Sequence, residues 1–324
     1  MYADLLSKII LHLEESKQLK LMPLIAVIGP TASGKTSLGI ALANSLSGEI
    51  ISADSRQIYQ HMDIGSALPT PAERKQAIHH LIDFVKPDQS FSLAEYQALA
   101  NQVITQVISR HKIPILVGGT GLYINTVSQN YLLPDSQPDL QLRDELTQLA
   151  NQSGYQAVHD RLSAVDPQSA ANIHPHNLRY VIRALEIATH TQKPKSDQLA
   201  ASLYHTFYIF IDWPRDLLYQ RIEQRIDQQI KQGLIEETKS LLALYDQHLP
   251  SMSSLGYQEI GDYLRGQISL DQALVLFKQH ARNYAKRQLT WFRKIKPLYS
   301  ISGLHLSELI TTLKTVTLDN EYLP

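Results

Sequence analysis

The feature that most constrains this chain is a glycine-rich turn between a buried-strand pattern and a helical pattern. Residues 29–36 read Gly-Pro-Thr-Ala-Ser-Gly-Lys-Thr, directly after the apolar run Leu24–Ile28 and before a helical pattern that extends to about Leu46. This context predicts a phosphate-binding loop, because successive backbone N–H groups and a helix N-terminus together form an anion site. Lys35 would add a positive charge, and Thr36 would offer its hydroxyl to Mg²⁺. The loop predicts a diphosphate ligand but does not identify the group that the diphosphate carries.

Short apolar runs and helical patterns alternate along the chain. Glu49–Ser52, Ile113–Val117 and Phe207–Ile211 have the length and composition of buried strands, and Leu93–Ser109 has a helical pattern. This alternation predicts an α/β fold of the P-loop NTPase type, in which helices cover both faces of a parallel sheet. After residue 211 the chain is predicted to be mostly helical.

A change of pattern near Leu133–Pro138 predicts a second domain. This stretch resembles a linker, and helical segments without convincing strands follow it. Near the start of the chain, Leu5, Ile9 and Leu13 fall on one face of a short amphipathic helix. The predicted domains are an N-terminal helical extension over residues 1–22, a catalytic core over residues 23–133 and 201–324, and a helical insertion domain over residues 134–200.

Composition and charge exclude several classes of function. The 324 residues include 30 basic and 31 acidic ones, so a uniformly basic nucleic-acid coat is excluded and any RNA surface must be a local patch. The chain has no cysteine, which excludes disulfides, cysteine nucleophiles, thiolate zinc sites and iron–sulfur clusters, and suits the cytoplasm. No apolar run approaches the roughly 18 residues that span a bilayer, so no membrane partner is expected.

A carboxylate is predicted to lie opposite the phosphate-binding loop. Asp54 directly follows the second strand, and the carboxyl ends of neighbouring parallel strands share one crevice. From its position alone, Asp54 could be a Mg²⁺ ligand, a general base or a residue that caps a turn. Asp212, at the end of the strand Phe207–Ile211, competes for the role of a metal-binding carboxylate.

The segment Gln279–Lys296 is basic and contains interleaved aromatic residues. It has no acidic residue, and Tyr284, Trp291 and Phe292 lie among its cations. The basic residues are Arg282, Lys286, Arg287, Arg293, Lys294 and Lys296. This composition suits RNA, because cations bind phosphates and aromatic rings stack on bases. The alternative is a solvated basic helix whose aromatic residues belong to the core.

Ten motifs, in order along the chain, resemble those of the bacterial tRNA dimethylallyltransferases, also called tRNA isopentenyltransferases. The resemblance extends from Leu24 to about Lys296. The motifs are GPTASGKT at 29–36, DSRQIY at 54–59, MDIGSALP at 62–69, HHLID at 79–83, FSLAEYQ at 91–97, PILVGGTGLY at 114–123, NLRYVIRALE at 177–186, RDLLYQRIEQRID at 215–227, LGYQE at 255–259 and RNYAKRQLTWFR at 282–293. A phosphate-binding loop alone would be weak evidence, whereas ten ordered motifs are specific.

The resemblance implies a reaction, a cofactor and a partner. A monomeric, cytoplasmic enzyme would transfer a dimethylallyl group from dimethylallyl diphosphate to the exocyclic amine of the adenosine immediately 3′ of the anticodon. Mg²⁺ would be the cofactor, with Thr36 as its ligand, and the tRNA anticodon stem-loop would be the partner. Asp54 would be the general base and Arg225 would neutralise the departing pyrophosphate, with Thr31 and Lys35 also in the catalytic group.

The resemblance also implies two sets of binding residues. The diphosphate would be bound by Gly29, Pro30, Thr31, Ala32, Ser33, Gly34, Lys35 and Thr36. The tRNA would contact Asp54, Ser55, Arg56, Gln57, Thr120, Arg143, Arg179, Tyr180, Val181, Ile182, Arg183, Leu255, Gly256, Tyr257, Gln258, and the stretch Arg282–Leu289 with Arg282, Lys286 and Arg287. The chain departs from the family pattern where Ser66 and Leu68 replace the usual Thr and Lys, and where Ala281 replaces Thr.

Two other functions remain open on the sequence alone. A P-loop kinase of a small molecule or nucleoside would use Asp54 or Asp212 to hold Mg²⁺. A non-catalytic RNA-binding protein would use the segment Gln279–Lys296 without any chemistry. The GGTGLY sequence and the basic, aromatic segment have no role in a small kinase, which favours the transferase.

Overall fold

The structure of the chain, a computed structural model, describes residues 2–131, 133, 139–191 and 201–315. It divides into a core unit, Met1–Ser128 with Ser202–Pro324, and a helical unit, Gln129–Ala201. The predicted domain boundaries at 133/134 and 200/201 lie within a few residues of these divisions. Residues 134–138 and 192–200 themselves lie outside the described residues.

The core unit is built on a parallel sheet. Its strands are β1 (Met22–Ile28), β2 (Gly48–Ser52), β3 (His79–His80), β4 (Ile113–Gly118), β5 (Tyr204–Asp212) and β6 (Tyr299–Ser302). Among the described residues they form one sheet in the order β3-β2-β4-β1-β5-β6, and every pair is parallel. Strand β1 is central, since Ile25 aligns with Ile115 on one side and with Phe207 on the other. The predicted parallel α/β sheet is confirmed.

Helices follow most strands and begin close to where the apolar patterns predict. In chain order they are α1 (Tyr2–Leu19), α2 (Lys35–Ser45), α3 (Asp63–Ser66), α4 (Pro71–Arg74), α5 (Leu93–Ser109), α6 (Gly121–Ser128), α7 (Leu140–Ser153), α8 (Tyr155–Val165), α9 (Pro167–Asn172), α10 (Leu178–Thr191), α11 (Arg215–Lys231), α12 (Leu234–Leu244), α13 (Tyr257–Leu264), α14 (Leu270–Phe292) and α15 (Leu306–Leu313). Ser92 begins α5 with a capping box, in which Ser92 and Glu95 exchange side-chain-to-backbone hydrogen bonds. No helix in the described part of the chain is long and apolar enough to cross a membrane.

The sheet has a separate hydrophobic core on each face. In β1, Ile25 and Val27 pack on one face with α1, α2 and α15, whereas Leu24, Ala26 and Ile28 pack on the other face with α5 and α6. This division follows from the two-residue period of a strand, which sends successive side chains to opposite faces. Both faces are therefore covered, as the continuous apolar character of β1 predicts.

The N-terminal helix α1 is part of the core unit. Leu5, Ile9 and Leu13 are fully buried against the sheet, so the predicted amphipathic face is the packing face. The predicted boundary between residues 22 and 23 falls inside β1, because the strand begins at Met22.

Two edge strands are not predicted from the sequence. β3 has two residues and β6 has four, so neither gives a readable apolar pattern. His80 of β3 contacts Glu49 of β2, with 2.6 Å between His80 Nε2 and the carboxylate, and Arg110 binds the same carboxylate. These contacts hold the edge of the sheet.

The helical unit has its own small core. Leu146 of α7, Val158 and Leu162 of α8, and Val181 and Leu185 of α10 are buried in it. Among the described residues, all members of this cluster belong to the helical unit. Its elements are the helices α7 to α10, in agreement with the helical patterns of this region of the sequence.

Candidate active site

An open cleft of about 1240 Å³ lies in the core unit, at the carboxyl edge of the sheet. Its walls come from the loop after β1, the segment after β2, and the helices α11, α13 and α14. Because β1 and β2 run parallel, their carboxyl ends open at the same edge. The cleft therefore brings the phosphate-binding loop and Asp54 together, although they are far apart in sequence.

Carbonyl groups of the phosphate-binding loop, residues 29–36, accept hydrogen bonds from side chains. Arg221 Nε donates to the Ala32 carbonyl at 3.0 Å, and Trp213 Nε1 donates to the Ser33 carbonyl at 3.0 Å. The Arg221 guanidinium also lies 4.3 Å from the centre of the Trp213 ring. These contacts fix the conformation of the loop.

Helix α2 begins directly after the loop and contributes its positive end. Gly34 precedes the helix with a φ of 97°, a left-handed conformation that residues with a Cβ adopt at a cost. The first N–H groups of a helix have no intrahelical partner, so those of Lys35 and Thr36 are available to a ligand. Thr36 lines the cleft at this position.

In addition to Arg221, the loop is flanked by a charged cluster of Lys35, Arg225 and Asp54. Lys35 Nζ donates to the Pro30 carbonyl at 2.7 Å, and burial lowers the pKa of Lys35 to about 8 although the Asp54 charge opposes the shift. Arg225 Nη1 lies 3.4 Å from Thr31 Oγ1, and burial lowers the pKa of Arg225, again against the Asp54 charge. Two cations against one carboxylate leave this part of the cleft with an excess of positive charge, which favours an anion.

Asp54 is both a turn residue and a cleft residue. Its Oδ1 accepts the backbone N–H of Arg56 at 2.9 Å, as expected of an Asp that stabilises a turn. It also lies close enough to Lys35 and Arg225 to favour their charged forms. The turn bond fixes the orientation of the carboxylate, so the capping and functional interpretations of Asp54 are compatible.

The residues after Asp54 are tied to the loop after β4. Ser55 N donates to Thr120 Oγ1 at 3.0 Å, and the Tyr284 hydroxyl is hydrogen-bonded to the same threonine. Burial and the nearby Asp54 charge raise the pKa of Tyr284 to about 12. Arg56 Nη1 donates to the Pro250 carbonyl at 2.8 Å.

Both the oxygen and the nitrogen of the Gln57 side-chain amide form hydrogen bonds. It accepts from Ser52 Oγ at 3.1 Å and donates to the Ala67 carbonyl at 3.0 Å. Ser55, Arg56 and Gln57 all line the cleft and are partly exposed.

The segment 255–258 contributes mostly buried groups. Gly256 and Tyr257 are buried, whereas Leu255 is partly exposed and Gln258 is exposed at the cleft. The Tyr257 hydroxyl donates to Glu237 at 2.6 Å and accepts the N–H of Gly65 at 3.1 Å. Tyr257 thus supports the cleft wall with its hydroxyl.

Glu237, which sequence reasoning did not identify, binds residues that form the cleft wall. Its carboxylate accepts the backbone N–H groups of Asp63, Ile64 and Gly65, at the start of α3. Gln229 of α11 holds the same segment by donating to the Ile64 carbonyl at 2.6 Å. These partners are more than 160 residues away, so no local pattern could indicate them.

The departures from the family pattern lie along the same wall. Ser66, Leu68 and Ala281 line the cleft and are at most 9% exposed. Leu68 places an apolar side chain in this wall, and the nearby Arg74 donates to the Pro69 carbonyl at 2.9 Å and also lines the cleft.

The basic residues of α14 are not equivalent. Arg282 forms an ion pair with Glu223 of α11, and Lys278 forms another with Asp227 at 2.7 Å. Lys286 and Arg287 are exposed, and Arg287 also lines the cleft. These two residues therefore form the part of the helix that is open to a phosphate backbone.

The aromatic residues of the segment Gln279–Lys296 also differ in their exposure to solvent. Phe292 is fully buried in the core and Tyr284 belongs to the cleft, whereas Trp291 is 38% exposed and lies against Gly121. Only some members of the interleaved pattern are therefore in a position to stack on a base.

Arg143 and the stretch 179–183 lie in the helical unit. Arg143 and Arg183 both bind the buried carboxylate of Glu186, Arg143 with contacts of 2.8 and 2.9 Å. Burial alone would raise the pKa of Glu186, but the hydrogen bonds from Arg143, Arg183 and the Asp139 N–H lower it to about 2. Val181 and Ile182 are buried, whereas Arg179 and Tyr180 are exposed.

The cleft fits a magnesium ion bound mainly by a substrate. No group of three His, Asp or Glu side chains that could hold a metal occurs within the described residues. The Thr36 hydroxyl and the Asp54 carboxylate are oxygen donors in the same cleft as the anion site, and Mg²⁺ commonly combines such donors with substrate phosphates and water. Asp212, the competing carboxylate, is exposed and does not line the cleft.

Comparisons with known proteins match most of the chain to one family. A sequence profile of the IPP transferase family matches residues 57–295. The chain is 47% identical over 287 residues to a tRNA dimethylallyltransferase of Moorella thermoacetica. The aligned residues make up 86% of this chain and 89% of that protein. It is 48% identical over 282 residues to a tRNA dimethylallyltransferase of Geobacillus thermodenitrificans, with 85% and 89% covered.

Solved structures agree with these sequence relatives. A tRNA isopentenylpyrophosphate transferase from Bacillus halodurans has a TM-score of 0.66 and 41% identity, over 91% of this chain and 98% of that one. A eukaryotic dimethylallyltransferase acting on tRNA has a TM-score of 0.75 and 26% identity, over 88% of this chain and 75% of that one.

Proposed function

Because the chain belongs to the IPP transferase family, we propose that it is a tRNA dimethylallyltransferase. It transfers a dimethylallyl group from dimethylallyl diphosphate to the exocyclic amine of the adenosine immediately 3′ of the anticodon and releases pyrophosphate. The observation that carries this proposal is a single cleft in which an anion site with excess positive charge faces the carboxylate of Asp54. Curated relatives that carry the name tRNA dimethylallyltransferase support the same reaction.

The diphosphate is proposed to bind the loop residues 29–36 and the two cations. The backbone N–H groups at the start of α2 contact its oxygens, and Lys35 and Arg225 balance its charge. As the allylic carbon–oxygen bond breaks, the electron pair leaves with the pyrophosphate, whose charge grows. Donors already oriented toward that charge stabilise the transition state by about 3–4 kcal/mol each, if values for oxyanion holes apply.

Mg²⁺ is proposed as the cofactor. Thr36 would hold it through its hydroxyl, together with oxygens of the diphosphate. When bound, the ion would neutralise part of the diphosphate charge.

The adenine amine needs help because its lone pair is delocalised into the ring. The allylic carbon compensates, since it carries positive charge as its bond to oxygen breaks. A new bond then forms between the amine nitrogen and this carbon, and the amine loses one proton. Asp54 is proposed to accept that proton, a role typically worth about 10²–10⁴ in rate.

The tRNA anticodon stem-loop is proposed to bind the exposed cations of α14 and the residues around the cleft. Lys286 and Arg287 are exposed there, and Arg179 and Tyr180 are exposed on the helical unit. A base in a single-stranded loop leaves its stack at low cost, which suits entry into a cleft. We propose that the protein acts as a monomer in the cytoplasm, where tRNA is available.

A kinase is the second candidate that the sequence left open, and the cleft does not favour it. Its alternative metal ligand, Asp212, is exposed outside the cleft. The exposed cations of α14 would also have no substrate in a small-molecule kinase.

The choice of donor tests the proposal. Unmodified tRNA would be incubated with the protein, Mg²⁺ and either radiolabelled dimethylallyl diphosphate or ATP labelled at the γ-phosphate. We expect label to enter the tRNA only from the prenyl donor. Transfer or hydrolysis of the ATP phosphate, with no prenyl incorporation, would overturn the proposal in favour of a kinase.

A further inference from the structure

Gln288 of α14 joins the phosphate-binding loop to the loop after β4. Its Oε1 accepts the backbone N–H of Thr31 at 2.8 Å, and its Nε2 donates to the Gly119 carbonyl at 2.8 Å. The side chain is buried, with 5% of its surface exposed. The two ends of the Gln288 amide therefore bond to two different loops, the phosphate-binding loop and the loop after β4.

The orientation of this amide is determined by its partners. If the amide were flipped, two N–H donors would face each other at Thr31 and two oxygens would face each other at Gly119. A Cβ at Gly119 would lie 2.5 Å from Gln288 Nε2, so a larger residue there would displace the amide from the bridge. The same Cβ would lie 3.6 Å from Lys35 Nζ, so the bridge is next to the lysine that faces the anion.

The bridge continues along the same face of α14. Tyr284, one helical turn before Gln288, is hydrogen-bonded to Thr120, which accepts the N–H of Ser55. Tyr284 therefore supports the segment that carries Asp54, and Gln288 supports the loop that carries the diphosphate. One helical face thus contacts both halves of the reaction site.

The neighbours of Gln288 differ from it in exposure. Lys286 and Arg287 are exposed, whereas Gln288 is buried and both of its hydrogen-bonding ends are occupied by backbone. Gln288 lines the cleft, but only 5% of its surface is exposed, and its Oε1 and Nε2 each already bond to backbone. The stretch Arg282–Leu289 therefore combines residues open to RNA with a cleft residue whose amide is engaged by the protein itself.

We propose that Gln288 is a positioning residue that fixes the phosphate-binding loop relative to Asp54, and that it does not contact RNA. Because its Oε1 accepts the N–H of Thr31, the proposed diphosphate contacts are made by the amides at the start of α2 and by the Thr31 hydroxyl. This inference rests on the proposed transferase function. Loss of the bridge is expected to misplace the anion site and to leave the RNA surface intact.

The test compares Gln288→Met with Lys286→Ala on the same helix. Methionine matches the length of glutamine but can neither donate to Gly119 nor accept from Thr31. We expect Gln288→Met to raise the KM for dimethylallyl diphosphate about tenfold and to leave the Kd for tRNA within about twofold of wild type. We expect Lys286→Ala to show the reverse, a weaker tRNA complex with an unchanged KM for the diphosphate.

A matched control and a direct readout separate positioning from a general loss of structure. Thr290→Ala, two residues further along, alters an exposed side chain and is expected to behave as wild type in both measurements. Hydrogen exchange of the peptide containing residues 29–36 is expected to become about tenfold faster in Gln288→Met, because the Thr31 N–H loses its acceptor. Exchange elsewhere in the sheet should not change.

The outcomes distinguish this inference from the function on which it rests. If wild-type protein transfers no prenyl group, the proposed function fails, whatever the variants do. If wild type is active and Gln288→Met has a normal KM for the diphosphate with unchanged exchange at residues 29–36, the inference is overturned. A variant that loses tRNA affinity while keeping that KM would also overturn it, since Gln288 would then be an RNA contact.

Discussion

Asp54 is the residue on which the proposed proton transfer depends. Its Oδ1 accepts the hydrogen bond from the Arg56 N–H that stabilises the turn. The side-chain oxygen of an asparagine can accept the same hydrogen bond. Asp54→Asn should therefore fold normally and bind tRNA with nearly unchanged affinity. Because an amide cannot accept the amine proton, single-turnover transfer should be at least about tenfold slower.

Rapid-quench measurement with enzyme in excess over tRNA would check this prediction, with the tRNA Kd measured in parallel. Asp54→Ala would serve as a comparison that also removes the turn bond. Wild-type chemistry in Asp54→Asn would remove Asp54 from the role of general base.

Lys35 should make diphosphate binding depend on pH. Burial lowers its pKa to about 8 from an ordinary value near 10.5, so in the folded, ligand-free protein it loses its proton as the pH rises through 8. The affinity for dimethylallyl diphosphate should therefore fall above pH 8, where the loop has lost one positive charge. Calorimetric titration between pH 7 and pH 9.5 would measure the change.

The variant Lys35→Arg provides the matched control, because a guanidinium keeps its charge between pH 7 and pH 9.5. Lys35→Arg is expected to bind the diphosphate more weakly at pH 7 but with a flatter pH dependence. Equal pH dependence in both proteins would show that another group titrates.

Among the structural elements, the helical unit depends on a buried carboxylate. Glu186 is fully buried and is bound by two arginines and one backbone N–H, so Glu186→Gln removes the charge that balances them. Because Arg143 and Arg183 stay partly exposed, losing the hydrogen bonds to the charged carboxylate should cost about 1–3 kcal/mol, and we expect the variant to unfold at a lower urea concentration at pH 7. Loss of helical circular dichroism would report the transition.

The same variant gives a pH test with a definite sign. The folded pKa of Glu186, about 2, lies below its ordinary value of 4.5, so its contribution to stability is present above pH 4.5 and is lost as the pH falls through 2. The difference in unfolding free energy between wild type and Glu186→Gln should therefore shrink as the pH falls toward 2. A constant difference would contradict this assignment.

At the scale of the whole molecule, a net charge of −1 requires that RNA binding be local. The exposed cations near the end of α14 and just beyond it are Lys286, Arg287, Arg293, Lys294 and Lys296. Each phosphate contact releases counterions, so the logarithm of the tRNA association constant should fall steeply with the logarithm of salt concentration, by about 0.7 per contact for single-stranded RNA. Filter binding at several salt concentrations would measure the slope.

Replacing two of these cations should reduce that slope. In Arg293→Ala/Lys294→Ala, the slope should become shallower by about one contact or more while the diphosphate KM stays constant. Arg282→Ala offers a contrast, since its guanidinium is already paired with Glu223 and should contribute less. A flat salt response of the wild type would argue against this surface as the RNA site.

The fold, and the position of Asp54 opposite the phosphate-binding loop, could be predicted from the sequence because their signals are local. The loop at 29–36 and the apolar strands β1 and β4 are contiguous patterns, and the parallel sheet brings Asp54 to the loop by a general rule. The edge strand β6 has four residues and gives no readable pattern.

The supporting contacts could not be predicted because they join distant parts of the chain. Glu237 binds the start of α3 across more than 170 residues, and Gln288 bonds Thr31 across 257. Composition also cannot separate paired from free cations, so Arg282 and Lys286 look alike in the sequence although one is held by Glu223.

The most direct test of the central claim is a mass measurement on a defined RNA acceptor. An anticodon stem-loop with adenosine immediately 3′ of the anticodon, and a matched stem-loop with inosine there, would each be incubated with the protein, Mg²⁺ and dimethylallyl diphosphate. We predict a gain of one C5H8 unit, located by nuclease digestion at that adenosine, and none on the inosine RNA, which lacks the exocyclic amine. An unchanged adenosine stem-loop, or an equal gain on the inosine RNA, would contradict the account.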